Sequence, residues 1–528
     1  MSSNISDIRA QVNTLALTLT HPVLQPLKQK MLAGVAKLEE PIQVAIIGKI
    51  KASKSTLVNA IIGKPNFAPT GQMEVTWNVS WINAGATNEA AEIVLKNGLK
   101  KNIPIYLWKK IAVGEGELET IGFSKEDIQR NISYIRLSDD APILESLNII
   151  DTPGLDATRA LDSRNTIDFL NGVCRPDAII TLFVHNQTGS MMSIVEDFVG
   201  AGGALTPLNS IGVMAKMDMQ WNISFWGKNM LEQMRRVANK QFDENASLRK
   251  SLFRIYPISA LMFMASQTLC VEQLEWLHRL AAVDESILKK TLPFTKTFIE
   301  SDLLPLSANQ RKQLTEILGT YAIYIMIRQL RHQPDTDLQT ARDVLRKESG
   351  ADALMEAIYN HFGARANLLK AQSLYQNLLG ECNRLAADKT VGSQIRGIKL
   401  MLSNAFKDVI YEVREYALMT AIYDNKVPFL SEDEKEDFKR LCGEQGSDAH
   451  SRLGMPFDVS PEEMYRECLL RSKVYRRKAQ VLAKMERCDA MRLIKESYLR
   501  LAEQIKQQIQ LHQVSHHYLY GNNEQNIH

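Results

Sequence analysis

Ile42-Gln43-Val44-Ala45-Ile46-Ile47-Gly48-Lys49-Ile50-Lys51-Ala52-Ser53-Lys54-Ser55-Thr56-Leu57-Val58-Asn59-Ala60 is the stretch that decides the fold. Ile42 to Ile47 is short, apolar and β-branched, and it stops at Gly48, as a buried strand entering a loop does. Thr56 to Ile62 has the composition of a helix. Between them, Gly48 to Ser55 has the spacing of a phosphate-cradling loop. Backbone N–H groups at the mouth of such a helix point at phosphate oxygens. Lys54 would neutralise the β- and γ-phosphates, and Ser55 would bind Mg²⁺. One position departs from the pattern: Ser53 stands where glycine is usual. If that position is left-handed, its side chain costs ~1 kcal/mol and reduces nucleotide affinity.

Three further apolar runs end in loops that complete the chemistry. Leu147 to Ile150 stops at Asp151-Thr152-Pro153-Gly154. Asp151 fits the carboxylate behind the Mg²⁺, and the Gly154 N–H fits a γ-phosphate sensor. Ser210 to Met214 leads into Ala215-Lys216-Met217-Asp218. A carboxylate at Asp218 accepts both N1–H and N2–H of guanine, a pairing adenine cannot supply, and Lys216 can lie over the base. Phe253 to Ile258 leads into Ser259-Ala260, where a backbone N–H can meet guanine O6. With Ala178 to Val184, and helical stretches between several runs, the alternation predicts a mostly parallel sheet with helices on both faces. Ligands bind at the strand ends of such sheets, where all four motifs fall. Trp77 to Ile82 and Ala91 to Leu95 read as added edge strands.

The chain has 528 residues, is 45% apolar and carries a net charge of +3. Its length suggests ~3 domains. Its charge names no polyanionic partner, and no nucleic-acid-binding motif is present. The cysteines (Cys174, Cys270, Cys382, Cys442, Cys468 and Cys488) form no C-x-x-C pair and no zinc spacing, which fits free thiols in a reducing compartment. Met1 to Arg9 lacks the basic start and apolar core of a signal peptide. No apolar run approaches the ~20 residues that span a bilayer. The expected location is cytoplasmic, with any membrane contact peripheral, at the inner membrane.

Residues 1–40 read as a helical segment broken at Pro22 and Pro26, packing with the neck and stalk. The head spans 41–362. A helical neck and stalk occupy 363–514, with a loop-rich tip at 425–460 and a polar, disordered tail at 515–528. Arg365 to Ala387 and Gln394 to Tyr423 read as two helices of an outward limb of ~88 Å, and Pro461 to His512 as one return helix of ~78 Å.

The four motifs and this layout resemble the dynamin superfamily of large GTPases, and bacterial dynamin-like proteins in particular. Ser55-Thr56-Leu57-Val58-Asn59-Ala60 is close to what bacterial members show after their phosphate loop. The resemblance implies an α/β P-loop GTPase head on an elongated α-helical bundle stalk. It implies binding of GTP and GDP with Mg²⁺ through Gly48, Lys49, Ile50, Lys51, Ala52, Ser53, Lys54, Ser55, Thr56, Asp151, Gly154, Lys216, Asp218, Ser259 and Ala260. Pro69 to Thr76 looks like the first switch, with Thr76 matching the Mg²⁺-binding threonine better than Thr70. Ser55, Thr76 and Asp151 would hold the metal. Lys54, Ser55, Thr76 and Lys51 would carry catalysis. Lys51 sits where some large GTPases carry an internal arginine finger, the alternative being a solvated lysine. Ala215 departs from the usual Asn or Thr, which leaves guanine selectivity expected but less firmly braced. Leu155 cannot orient water as a glutamine does, so basal hydrolysis should be slow and rise on self-association.

The resemblance also implies self-assembly through heads and stalk, a second dynamin-like chain as a possible partner, and membrane remodelling. The tip would touch lipid through Val427, Phe429, Leu430, Met455 and Phe457, or else fold onto the stalk. The acidic run Glu432 to Asp437 opposes anionic lipid. Arg466 to Arg500 holds eleven basic residues against four acidic ones; it reads as a lipid surface, an oligomer contact or a solvated face. A nucleotide-gated scaffold with weak or no turnover is the alternative function. An RNA-linked GTPase is a minor third, disfavoured by the long stalk. His185 is more simply structural than catalytic, and Trp77 with Trp81 more simply packing than base recognition.

Overall fold

The computed structural model describes residues 5–49, 52–68, 79–86, 90–112, 131–153, 176–184, 209–363, 365–423, 425–443, 448–480 and 485–520. The chain divides into two compact units, Ala36–Ser373 and a second made of Met1–Val35 with Leu374–His528. Helices α1 (Ile5–Thr18) and α2 (Gln25–Lys37) precede the first strand.

A nine-stranded sheet forms the first unit. Its strands are β1 (Ile42–Gly48), β2 (Ser80–Ala84), β3 (Ala90–Leu95), β4 (Lys100–Pro104), β5 (Ile132–Asp139), β6 (Leu147–Asp151), β7 (Ala178–Val184), β8 (Ser210–Ala215) and β9 (Ile255–Pro257). The order is β4-β3-β5-β2-β6-β1-β7-β8-β9. From β6 to β9 every pairing is parallel. On the other side the sheet is mixed, with β2 antiparallel to β6 and β3 antiparallel to both neighbours. The two expected edge strands are therefore interior. β2 lies between β5 and β6, and β3 between β4 and β5. β5, absent from the sequence reading, supplies the partner each needs. The expected strand at 253–258 shortens to β9.

β1 is buried at all seven positions, which explains its unbroken apolar run where a half-exposed strand would alternate. Helix α3 (Lys54–Ile62) packs on β1 and β6, and α4 (Met230–Glu244) packs on β9. Helices α5 (Ala260–Thr268), α6 (Val271–Ala281), α7 (Ala308–His332) and α8 (Leu338–Glu348) enclose a second core around Met262, Leu277, Leu318 and Tyr324. Trp221 stacks on Tyr324 at 4.9 Å within it. Helix α9 (Ala366–Leu385) begins in this unit and continues into the second.

The second unit is helical: α10 (Gly392–Ala405), α11 (Lys407–Tyr423), α12 (Glu432–Leu441), α13 (Ala449–Leu453), α14 (Pro461–Gln480) and α15 (Met485–Tyr520). Three expectations change here. The helix over 394–423 is interrupted at Phe406, whose ring is fully buried. The single long return helix is two, α14 and α15, packed side by side with Tyr475 stacked on Tyr498 at 5.9 Å. α15 also runs on to Tyr520, past the boundary expected at 514.

At the tip, the burial fits the alternative in which the apolar clusters fold inward. Val427 and Leu430 are buried in the core of this unit beside Phe438, Leu441 and Tyr498. Phe429 and Met455 pack against the same core, and of the five residues expected to meet lipid only Phe457 is exposed, at 79%. Two residues of the acidic run, Glu434 and Asp437, turn inward with them, while Glu432, Asp433 and Glu436 stay exposed. Glu434 pairs with Lys478 at 2.9 Å and Arg487 at 3.1 Å, and Asp437 with Arg440 at 2.5 Å.

Candidate nucleotide-binding site

The parallel half of the sheet brings the four sequence motifs to one edge. Gly48 ends β1, Asp151 ends β6, Ala215 ends β8, and Ser259 follows β9. β1 and β6 pair with Ile46 opposite Asp151, so the phosphate loop and the metal-side carboxylate emerge from neighbouring strands. β8 and β9 pair with Met214 opposite Pro257, which brings the two base-side loops together.

Gly48 is required by proximity. A Cβ there would lie 2.6 Å from the carbonyl oxygen of Leu182 on β7, too close for any side chain. Ser53 is left-handed at φ 66° and ψ 30° and stands at the N-terminus of α3. The loop thus keeps a glycine-type conformation with a residue that resists it.

Lys54 is buried at 7% exposure, and its ammonium donates to the carbonyls of Gly48 (3.1 Å) and Lys49 (2.9 Å). Burial lowers its pKa to about 8, partly offset by the Asp151 carboxylate. Ser55 Oγ donates to Asp151 Oδ2 at 2.8 Å. Burial pushes the Asp151 carboxyl up to about 6, against the pull of Lys54 and the Ser55 bond. Its other oxygen, Oδ1, is buried with no hydrogen-bond partner. A hydroxyl beside a carboxylate with a free lone pair is an oxygen donor set that fits Mg²⁺.

On the base side, Lys216 is also left-handed (φ 58°, ψ 36°), which turns the chain sharply between β8 and Asp218. Asp218 is half-buried, and desolvation raises its pKa. The nearby Ser259 hydroxyl offsets part of that rise, and the Ile258 N–H donates to Met214 O at 2.9 Å. Ser259 also caps α5, accepting from the Met262 N–H at 3.2 Å. Lys49 and Ala52 stand in the phosphate loop, Thr56 in the first turn of α3 and Ala260 at the start of α5. Ile50, Lys51, Thr70, Thr76, Trp77, Gly154, Leu155 and His185 lie outside the described residues.

Three positioning residues escaped the sequence reading. Asn59 on α3 clamps Ala68 from both sides, donating to its carbonyl (2.9 Å) and accepting from its N–H (2.6 Å). It fixes the chain just before the Pro69 to Thr76 stretch, and its place one turn along α3 was the available signal. Thr152 donates to Ile46 O at 2.8 Å and locks Asp151 against β1. Gly319 breaks α7 at φ 72° and ψ 163°. A Cβ on it would stand 3.8 Å from Asp218 Oδ2.

Residues 44–201 match the family model described as Dynamin family. The isoniazid-induced protein IniC of Mycobacterium tuberculosis is 27% identical over 455 residues, which is 84% of this chain and 86% of IniC. Dynamin-like protein 2 of Campylobacter jejuni is 25% identical over 217 residues, 40% of this chain and 32% of its own. A solved structure described as an oligomerised bacterial dynamin pair aligns with TM-score 0.34 and 14% identity over 98% of this chain and 93% of that one. The phosphate loop on β1 and the Asp151 motif on β6 both fall inside the stretch that matches the Dynamin family model, and the chain is similar to IniC over most of its length.

Proposed function

We propose that this chain binds GTP with Mg²⁺ and hydrolyses it slowly alone and faster when assembled, using turnover to drive membrane-associated remodelling. The observation that carries the reading is the convergence of Lys54, Ser55 and Asp151 with the Asp218–Ser259 pair at the carboxyl ends of four parallel strands. In this reading the α3 amides and Lys54 hold the phosphates, and Asp218 holds the guanine edge. Ser55 and Asp151 hold the metal, with Thr76 completing the set. The bound ion supplies charge neutralisation on the phosphate oxygens. Lys51 is assigned the finger role, and Lys51→Ala should abolish stimulated turnover while sparing GDP binding.

Lipid contact, in this reading, is peripheral. Among the described residues no helix is long and apolar enough to cross a membrane. Self-association through heads and helical unit supplies the stimulation, and a second dynamin-like chain is a candidate partner. Calorimetry with GDP and ADP in magnesium tests the site, and turnover measured against protein concentration and liposomes tests the coupling. Equal affinity for the two nucleotides would overturn the assignment. Guanine binding with specific activity flat against concentration and lipid would favour the nucleotide-gated scaffold.

A further inference from the structure

The basic stretch from Arg466 to Arg500 sorts into two sets once the helices are packed. Arg471, Lys478, Arg487 and Arg500 are committed within the helical unit. Arg471 faces Glu467, Lys478 and Arg487 face Glu434, and Arg500 faces Glu412 and Glu415. The pairs to Glu434, Glu412 and Glu415 hold α11 and α12 against the α14–α15 pair, and Arg471 also reaches Asp437 of α12 at 3.6 Å. They account for part of the excess positive charge and leave a remainder that has no such task.

Part of that remainder gathers in one cleft of about 550 Å³ between α11, α14 and α15. Its walls carry Arg414 from α11, Arg476 from α14, and Arg492 and Lys495 from α15. Two carboxylates are present, and each is engaged by a cation of its own helix: Asp489 by Arg492 at 3.1 Å, and Glu496 by Lys495. Arg414 and Arg476 form no ion pair among the described residues, and they reach the cleft from different helices. Only Ala479 and Leu493 are purely apolar in the lining, with Gln480 and the Tyr411 ring completing it. The volume is that of a small-ligand site, but the walls suit a polar ligand.

Guanidinium groups converging on one concavity repel each other and focus a positive potential into it. A small oxyanion relieves both effects, and the planar guanidinium fork fits phosphate oxygens in pairs. We propose that this cleft binds a phosphate ester, with Arg414 and Arg476 as its principal ligands and Gln480 as a neutral donor. A phospholipid headgroup and a free phosphate present the same chemistry to it.

The test uses the full chain and the double variant Arg414→Gln with Arg476→Gln. Its charge-matched control is Arg396→Gln with Lys407→Gln, two exposed cations of the same unit outside the cleft. Co-sedimentation is measured with phosphatidylcholine vesicles, with and without phosphatidylglycerol, at fixed ionic strength. Calorimetry with pyrophosphate counts binding equivalents in each protein. If a headgroup is the ligand, affinity for the anionic vesicles falls about thirtyfold in the cleft variant and less than about twofold in the control. If a free phosphate is the ligand, the cleft variant binds one pyrophosphate equivalent fewer than the wild type, and the control does not. Equal losses in both variants, or no loss in either assay, would overturn the proposal.

Discussion

The Ser55 hydroxyl donates to the Asp151 carboxylate at 2.8 Å, and this bond closes the seat that Mg²⁺ would take. It holds Asp151 in place at a cost, because the buried carboxyl has a pKa raised to about 6 and a second oxygen without a partner. The folded state therefore binds that proton more tightly than the unfolded chain does. Ionising Asp151 costs stability at neutral pH, and that cost fades as pH falls from about 6 toward 4. Asp151→Asn should raise the melting temperature of the nucleotide-free protein by several degrees at pH 7 to 8, with the gain vanishing in acid. The same variant should lose the magnesium-dependent part of nucleotide affinity. A melting temperature that falls at pH 7 would remove the burial argument.

Ser53 tests whether the strain in the phosphate loop belongs to folding or to binding. Its φ of 66° lies in the left-handed region that glycine favours. The sequence reading expects weakened affinity; a loop whose own fold holds this conformation places the cost on stability instead. Ser53→Gly should stabilise the protein by under about 1 kcal/mol, since glycine's greater freedom when unfolded cancels part of the relief. The GDP dissociation constant should stay within about twofold of wild type. A tenfold tightening in calorimetry would mean that the strain is paid on binding after all.

How much of this was legible follows from which signals are local. The ends of β1, β6 and β8 were readable because each apolar run stops at a glycine or precedes an aspartate, and burial on both faces leaves no alternation to confuse the run. β2 and β3 were placed at the edge because nothing in Ile132 to Asp139 announces the strand that encloses them. The helix within the tip is hidden for a different reason. Ser431 and Glu434 form a capping box that opens α12, and that four-residue signal was present in the sequence. Treating 425–460 as loop hid the helix that draws Val427 and Leu430 inward. No signal marks the separation of α14 from α15, because Val481-Leu482-Ala483-Lys484 contains neither glycine nor proline. Gly319 was visible only as a glycine inside a helical pattern, a hint of a close approach and no more.

That glycine leads to a prediction about base selectivity. At φ 72° and ψ 163° it occupies a region open essentially to glycine alone. A Cβ there would contact Leu261 Cδ2 at 3.5 Å and Asp218 Oδ2 at 3.8 Å, so space permits a methyl group where the backbone does not. Gly319→Ala should push α7 toward a straight helix and shift the wall behind Asp218, at a stability cost of roughly 1–3 kcal/mol. The ratio of ADP to GDP dissociation constants should fall, while pyrophosphate affinity, which depends on the phosphate loop, should hold. If both affinities fall by one factor, the glycine supports the fold in general and not the base site.

Asp437 makes the last prediction, because its Oδ2 accepts from two hydroxyls at once, Tyr475 at 2.7 Å and Tyr498 at 2.8 Å. Both tyrosines are buried, and their phenols are held well above the usual range by burial and by this carboxylate. The same carboxylate pairs with Arg440, so α12, α14 and α15 meet on one side chain. Tyr498→Phe alone should cost about 1 kcal/mol, because Asp437 keeps Tyr475. Tyr475→Phe should cost the same. The double variant should cost about 3 kcal/mol, more than the sum, because the carboxylate then loses both hydroxyl donors in a place water reaches poorly. Denaturant unfolding of the four proteins measures the coupling, and calorimetry with GDP should show none of them altered in the head. Strict additivity would show that Asp437 is already satisfied by Arg440, Arg471 and solvent, and that the two hydroxyls do not couple the three helices.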